Sequence, residues 1–84
     1  KLNSSLFETY ALRGEAYSNL GKDELAIADF NKAIKLDPSS FLTYNNRGIV
    51  YEKLGKYELA IADYNKAIEL NPSNSDTYNN RGDV

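Results

Sequence analysis

The sequence contains no cysteine, no histidine, no tryptophan and no methionine. Without cysteine, the chain can form no disulfide and no thiolate metal site, and it offers no cysteine nucleophile. Without histidine, it lacks the usual general base and the most common metal ligand. We therefore expect no metal site, no cofactor and no enzymatic activity of its own.

Long apolar runs and strong charge of one sign are missing as well. No stretch approaches the roughly 20 apolar residues that cross a bilayer, and the net charge is −2, which gives no basic patch for nucleic acid. The glycines are spread along the chain, so no phosphate-binding loop is formed. We expect no membrane or nucleic-acid partner. No secretory signal pattern opens the chain, and the cytoplasm is the default compartment.

The chain does contain an internal repeat. Residues 7–40 align with residues 41–74 at a spacing of 34, and roughly two-thirds of the aligned positions are identical. Residues 75–84 repeat the start of the same unit. We predict a single array with repeat 1 at 7–40, repeat 2 at 41–74 and a truncated repeat 3 at 75–84 that holds only a first helix. The similarity fits either a recent duplication or a consensus-like engineered array.

Each copy has the pattern of two helices joined by a turn. Tyr10, Gly14 and Tyr17 follow one another at helical spacing. Gly21 lies where the end of a helix prefers glycine, and Pro38 stops the second helix. The same features recur 34 residues later. Three serines are predicted to cap the first helices: Ser5, Ser40 and Ser73.

Glycines inside the predicted first helices indicate close packing. Glycine in a helix costs about 1 kcal/mol relative to alanine, so these residues need a structural reason, and the alternative is a weak spot that is tolerated. Ala26 and Ala60 supply a small residue on the second helices. We therefore predict that the two backbones of a repeat approach each other closely at the glycines, with Tyr10 and Phe30 filling the space alongside. The glycines are Gly14, Gly48 and Gly82.

An arginine and an aspartate recur at the same period. Arg13, Arg47 and Arg81 precede the glycines of the first helices, and Asp29 and Asp63 lie within the apolar stretches of the second helices. Because a charge near a core needs compensation, we predict an Arg–Asp pair that ties helices together. The alternative is an arginine that binds a ligand carboxylate.

These positions resemble the tetratricopeptide repeat family, in which 34-residue helix-turn-helix units carry aromatic, glycine, alanine and proline residues at set places. The resemblance implies an all-α fold of about five helices, in which antiparallel helix-turn-helix hairpins stack into a right-handed superhelix, a solenoid. The matching residues of the two copies are Tyr10, Gly14, Tyr17, Ala26, Phe30, Ala33 and Pro38, then Tyr44, Gly48, Tyr51, Ala60, Tyr64, Ala67 and Pro72.

The resemblance also implies a function in protein–protein interaction. Family members bind an extended peptide or a partner helix in a concave groove lined by their first helices. Carried onto this chain, the predicted groove residues are Glu15, Asn19, Leu42, Asn45, Asn46, Ile49, Lys53, Asn79, Asn80 and Asp83.

Two features of this groove suggest the chemistry of its ligand. Asn46 and Asn80 occupy places where some family members present asparagines that pair with a peptide backbone, although Leu12 breaks the series in the first copy. The alternative is that these asparagines are simply solvated. The cations with which chaperone-binding members hold a carboxylate are missing here, so we expect a neutral or basic protein or peptide partner.

A structural role is the competing interpretation. Tyr78 and Gly82 belong to a first helix for which the sequence provides no covering second helix. Repeat arrays need such covering for stability. The alternative function is therefore a repeat segment that self-associates through its uncapped C-terminal helix, or stacks end to end with a longer array.

Overall fold

The computed structural model describes residues 4–83, which form five helices and no strand. The helices are α1 (Ser4–Asn19), α2 (Asp23–Leu36), α3 (Phe41–Lys53), α4 (Tyr57–Leu70) and α5 (Ser75–Asp83). Helices α1 and α2 form one hairpin, and α3 and α4 form the next. Helix α2 also packs on α3, and α4 packs on α5. The predicted all-α array of helical hairpins is confirmed.

The turn inside each hairpin depends on a glycine with positive φ. Gly21 and Gly55 have φ values of 77° and 76°, which only glycine adopts without strain. At the end of α1, the N–H of Lys22 donates to the carbonyl of Tyr17 over 2.8 Å, and that of Gly21 donates to Ser18 over 3.0 Å. This pair of bonds satisfies the last helical carbonyls, as in a Schellman motif. The glycine prediction is confirmed.

The connection between hairpins is a proline turn held by one side chain. The carboxylate Oδ1 of Asp37 accepts hydrogen bonds from the N–H and the hydroxyl of Ser39, over 3.1 and 2.7 Å. These two bonds hold the pKa of Asp37 below its ordinary value, because they favour the charged form. Asn71 and Ser73 repeat the arrangement over 3.3 and 3.0 Å.

The predicted serine caps are corrected by the structure. Ser5 lies inside the first turn of α1. Ser40 occupies the position before α3, but within residues 4–83 its side chain makes no capping hydrogen bond. Helix α5 is capped by Asn74, whose Oδ1 accepts the N–H of Thr77 over 3.1 Å. Ser73 lies one residue before the N-cap position, because α5 begins at Ser75, and its hydroxyl donates to Asn71 in the preceding proline turn.

The buried core residues lie within each hairpin and at the boundary between the two hairpins. Ala26 and Phe30 from the first hairpin meet Val50 from the second, and each is at most 1% exposed. Ala60, Ala67 and the ring of Tyr64 are fully buried in the second hairpin. Each hairpin therefore buries apolar surface against its neighbour as well as within itself.

Close packing at the helical glycines is confirmed, but the nearest partner differs from the predicted alanines. A Cβ on Gly14 would lie 2.7 Å from Cε1 of Phe30, and a Cβ on Gly48 would lie 2.7 Å from Cε1 of Tyr64. The glycines therefore make room for an aromatic ring rather than for Ala26 or Ala60.

Candidate functional site

The charged residues that recur along the chain form bidentate pairs within each hairpin. Arg47 donates from Nε and Nη2 to the carboxylate of Asp63 over 2.8 and 2.7 Å. Arg13 does the same to Asp29 over 2.7 and 2.9 Å. Both aspartates are buried, and their hydrogen bonds raise the pKa of each arginine above its ordinary value. The predicted structural pairing is confirmed.

A second contact of the arginines joins neighbouring hairpins. Nη1 of Arg47 donates to Oδ1 of Asn31 over 2.7 Å, and Nη1 of Arg81 donates to Oδ1 of Asn65 over 2.8 Å. The sequence analysis missed Asn31 and Asn65. A signal was present, because both precede their arginine by 16 residues and recur at the period of the repeat.

A cleft opens between the two first helices, α1 and α3. Its volume is about 280 Å³. Phe30 from α2 contributes to its lining. The sequence analysis missed Phe30 and Ser18, although Ser18 lies one helical turn from Glu15 on the same face of α1. The lining residues are Glu15, Ser18, Asn19, Phe30, Leu42, Asn46 and Ile49.

The cleft combines amide, apolar and acidic groups. Asn46 donates from Nδ2 to Oε2 of Glu15 over 3.0 Å, which joins α3 to α1 across the cleft. Leu42 is 53% exposed, and Ile49 is half-buried. Among the lining residues, Glu15 is the only one with a formal charge. The surface can accept and donate hydrogen bonds, cover an apolar side chain and attract a cation.

The remaining predicted groove residues are not among the lining residues of this cleft. Asn45 is 8% exposed, and its Oδ1 accepts a hydrogen bond from Nδ2 of Asn80 over 3.3 Å. Asn45 is thus a contact between α3 and α5 and not a free groove residue, because α5 covers that flank of α3. Lys53 donates to the carbonyl and hydroxyl oxygens of Ser18 over 3.2 and 3.1 Å. Asn79 is exposed on α5, and the side chain of Asp83 lies outside the described residues.

Over the described residues, no group of three or more acidic, histidine or cysteine side chains could hold a metal ion. None of the helices in residues 4–83 has both the length and the hydropathy that crossing a bilayer requires.

Comparison with known proteins identifies similar sequences and structures. A family model described as TPR repeat matches residues 14–55, and one described as Tetratricopeptide repeat matches residues 41–74. A search of curated proteins gives no match. The first repeat domain of Spaghetti (RPAP3), bound to the HSP90 peptide SRMEEVD, is 31% identical with a TM-score of 0.92. The crystal structure of MamA is 29% identical with a TM-score of 0.89.

The chain corresponds to only part of each of these proteins. The match to the RPAP3 structure covers 95% of this chain and 64% of that one. The match to MamA covers 90% of this chain and 44% of that one. Less than two thirds of either structure is therefore represented here.

Proposed function

The chain belongs to the tetratricopeptide repeat family, and on this premise we propose that it binds an extended peptide or a partner helix in the cleft between α1 and α3. The family and the peptide-bound neighbour support a protein-interaction module in general. The observation that carries the proposal is the composition of the cleft, where two carboxamides, two aliphatic side chains and one carboxylate surround an open space. No catalytic reaction is proposed.

Differences between the two full repeats support a binding role for this face. Over residues 8–19, seven of the twelve positions differ from their equivalents in 42–53, whereas over residues 23–36 three of the fourteen differ from 57–70. The first helices, which border the cleft, therefore vary more than the second helices. Glu15 and Ile49 are one such pair, and Asp83 is the third member of that series. Variation at surface positions on a constant frame is what a recognition surface requires.

The charge of the cleft favours a neutral or basic ligand. Glu15 lies on the lining with one of its oxygens bonded to Asn46. Lys53 lies beside the cleft, where it donates to Ser18, but its ammonium group is 3.5 Å from the carboxylate of Asp23, which offsets its charge. An acidic peptide would meet the like charge of Glu15, which is unfavourable on desolvation.

Selection from a randomised heptapeptide library tests this proposal. We expect the unmodified chain to enrich neutral and basic sequences, Glu15→Lys to shift the enrichment toward acidic sequences, and Asn46→Ala to reduce the total yield. Lys35→Gln on the outer surface of α2 is the control, since it changes one charge outside the cleft. Identical enrichment by Glu15→Lys and the unmodified chain would contradict the proposal.

An acidic chaperone peptide provides a second test, in which no binding is expected. We expect calorimetric titration with SRMEEVD, the peptide bound in the RPAP3 structure, to give no saturable heat with this chain. The reason is the absence of a cation from the lining residues. A dissociation constant in the micromolar range would refute this part of the proposal.

A structural role is the second candidate. Tyr78 on α5 is 41% exposed, and among the described residues no atom outside the local helix lies within 4 Å of the position that a Cβ on Gly82 would take. In this role, the exposed face of α5 would stack against another copy of the chain or against a longer array. Sedimentation velocity over a hundredfold range of concentration tests this role, because self-association raises the sedimentation coefficient with concentration.

We also propose that the repeat boundaries of the array lie at 7–40, 41–74 and 75–84.

A further inference from the structure

The chain holds one of its own arginines with oxygen atoms from two helices. Arg47 donates two hydrogen bonds to the carboxylate of Asp63 on α4 and one to the carboxamide oxygen of Asn31 on α2, each over 2.7 or 2.8 Å. A guanidinium group is planar and presents its N–H donors in a fixed fork. One carboxylate and one carboxamide from two different helices are therefore a set of acceptors that fits an arginine.

The cleft between α1 and α3 contains the same two groups without an arginine. Glu15 on α1 supplies the carboxylate, and Asn46 on α3 supplies the carboxamide. The two groups are adjacent, because Nδ2 of Asn46 donates to Oε2 of Glu15 over 3.0 Å. Within residues 4–83, the second oxygen of Glu15, Oε1, and the carboxamide oxygen of Asn46, Oδ1, accept no hydrogen bond. Two acceptors from two helices are therefore open to a ligand.

The charge of this carboxylate is not neutralised inside the described part of the chain. No lysine or arginine there lies within 4 Å of the carboxylate of Glu15. Lys53, beside the cleft, is 3.5 Å from the carboxylate of Asp23. Arg47, which shares α3 with the carboxamide of the cleft, is paired with Asp63. A cation that neutralises Glu15 has to come from the ligand.

Apolar side chains next to these two acceptors can cover the stem of a long side chain. Leu42 is 53% exposed and Ile49 is half-buried, and both line the cleft together with Phe30. The volume of the cleft, about 280 Å³, leaves room for one such side chain. Arginine and lysine both lay their methylene groups along apolar surface while the charged end meets a polar partner. The cleft thus offers a surface for the stem as well as acceptors for the head.

The arrangement of the acceptors favours arginine over lysine. A guanidinium can donate to a carboxylate and a carboxamide at the same time, and it is more weakly hydrated than the compact ammonium group of lysine. The ion pairs of the chain itself follow this difference. Among the described residues, the two arginine–carboxylate pairs are 2.7 Å long, whereas the two lysine–carboxylate pairs are 3.5 and 3.8 Å long.

We propose that the cleft between α1 and α3 is a pocket for an arginine side chain of the bound peptide or helix, an inference that rests on the proposed function. The guanidinium donates to Oε1 of Glu15 and to Oδ1 of Asn46. The stem of the arginine packs on Leu42 and Ile49. Glu15 therefore selects a cation, and Asn46 is the residue that distinguishes arginine from lysine.

Capped single amino acids test the pocket without any choice of peptide sequence. The probe is N-acetylarginine methylamide, titrated into the whole chain and followed by amide chemical shifts in two-dimensional NMR spectra. The matched probes carry lysine, or citrulline, which has the shape of arginine without its charge. We expect saturable shifts with a millimolar dissociation constant for arginine, binding about fivefold weaker for lysine, and no saturation with citrulline. The shifts should be largest around Glu15 and in the side-chain amide of Asn46.

Two variants separate the roles of the two acceptors. Glu15→Gln removes the charge and should weaken binding of the arginine probe about tenfold. Asn46→Leu keeps the charge and removes the second acceptor, so the preference for arginine over lysine should disappear. The fold should accept this leucine, because Leu12 occupies the equivalent place on α1. Glu69→Gln, which removes one negative charge from the exposed surface of α4, is the control and should bind like the unmodified chain.

Three outcomes overturn the proposal: no saturable shift with the arginine probe, equal affinity for the arginine and lysine probes, or arginine binding that Glu15→Gln leaves unchanged. The heptapeptide library tests the proposed function separately. Enrichment of peptides that contain no arginine would retain a binding cleft and overturn the arginine pocket, whereas enrichment of no peptide at all would overturn both. Failure of this inference is therefore distinguishable from failure of the proposed function.

Discussion

The guanidinium of Arg47 is the point at which three helices meet. It lies on α3, forms a bidentate pair with Asp63 on α4, and donates to Asn31 on α2. Only 19% of its side chain is exposed, compared with 54% for Arg13, which has the equivalent aspartate partner. One side chain therefore joins the two helices of its own hairpin to the neighbouring hairpin, and its environment strengthens these bonds.

The first residue-scale prediction concerns this pair. Asp63→Asn keeps the shape of the side chain but removes its charge, which leaves the positive charge of the largely buried Arg47 without its carboxylate partner. We expect a loss of about 1–3 kcal/mol in the free energy of unfolding, measured by urea denaturation. Asp29→Asn is the matched control and should cost less, because water can solvate Arg13. Unchanged stability of Asp63→Asn would contradict the interpretation.

The second residue-scale prediction concerns two glycines whose surroundings differ. Gly48→Ala gains up to about 1 kcal/mol of helix propensity, but the added methyl overpacks the ring of Tyr64 by an amount that typically costs about 1–3 kcal/mol. The ring cannot easily move aside, because it is fully buried and its hydroxyl donates to Glu52 over 2.8 Å. We expect net destabilisation.

Gly82→Ala provides the opposite case in the same molecule. Its methyl meets no neighbour among the described residues, so only the gain in helix propensity is expected, up to about 1 kcal/mol. Urea denaturation and helical content by circular dichroism should therefore change in opposite directions for the two variants. Equal destabilisation by both changes would show that space beside the glycine is not the deciding factor.

At the scale of the helices, the cap of α5 is the most informative contact. The side chain of Asn74 accepts the N–H of Thr77, and Thr77 is fully buried. Asn74→Ala removes this cap from a helix of only nine residues. We expect α5 to fray at a cost of about 1 kcal/mol, seen as faster amide exchange in residues 75–83.

Ser40→Ala is the comparison for this prediction. Ser40 precedes α3 in the equivalent region, but the described structure gives its side chain no capping hydrogen bond to the backbone. Its replacement should therefore leave the amide exchange of α3 nearly unchanged. Similar exchange in Asn74→Ala and the unmodified chain would contradict the assigned role of Asn74.

The positions of the helices could be predicted from the sequence, whereas their capping residues could not. Glycine and proline act locally, through the dihedral angles that they permit or forbid, so Gly21, Gly55 and Pro38 could be interpreted without a structure. A cap depends on which of several polar side chains reaches the free N–H groups. Ser73 and Asn74 are both suitable by residue type, and the residue at which α5 begins decides between them, because it places Asn74 at the N-cap position.

At the scale of the molecule, the sequence predicted the repeated contacts and missed those that depend on the neighbouring hairpin. The Arg–Asp pairs were predictable because both members recur with the period of the repeat. The burial of Asn45 was not, because it depends on how α5 lies over α3. Phe30 was predicted only as a residue that packs between helices. It also lines the cleft between α1 and α3.

Glu15 and Ile49 both line the cleft, and their positions predict the spacing between two residues of a bound peptide. Packed helices lie about 8–10 Å apart, and an extended chain advances about 3.3 Å per residue, so a peptide crossing from one first helix to the next moves by about three residues. A segment bound at both places should then carry a lysine or arginine and an aliphatic residue three positions apart. Sequences recovered from the library can be aligned to look for this interval, and its absence from strong binders would show that they cross the helices in some other direction.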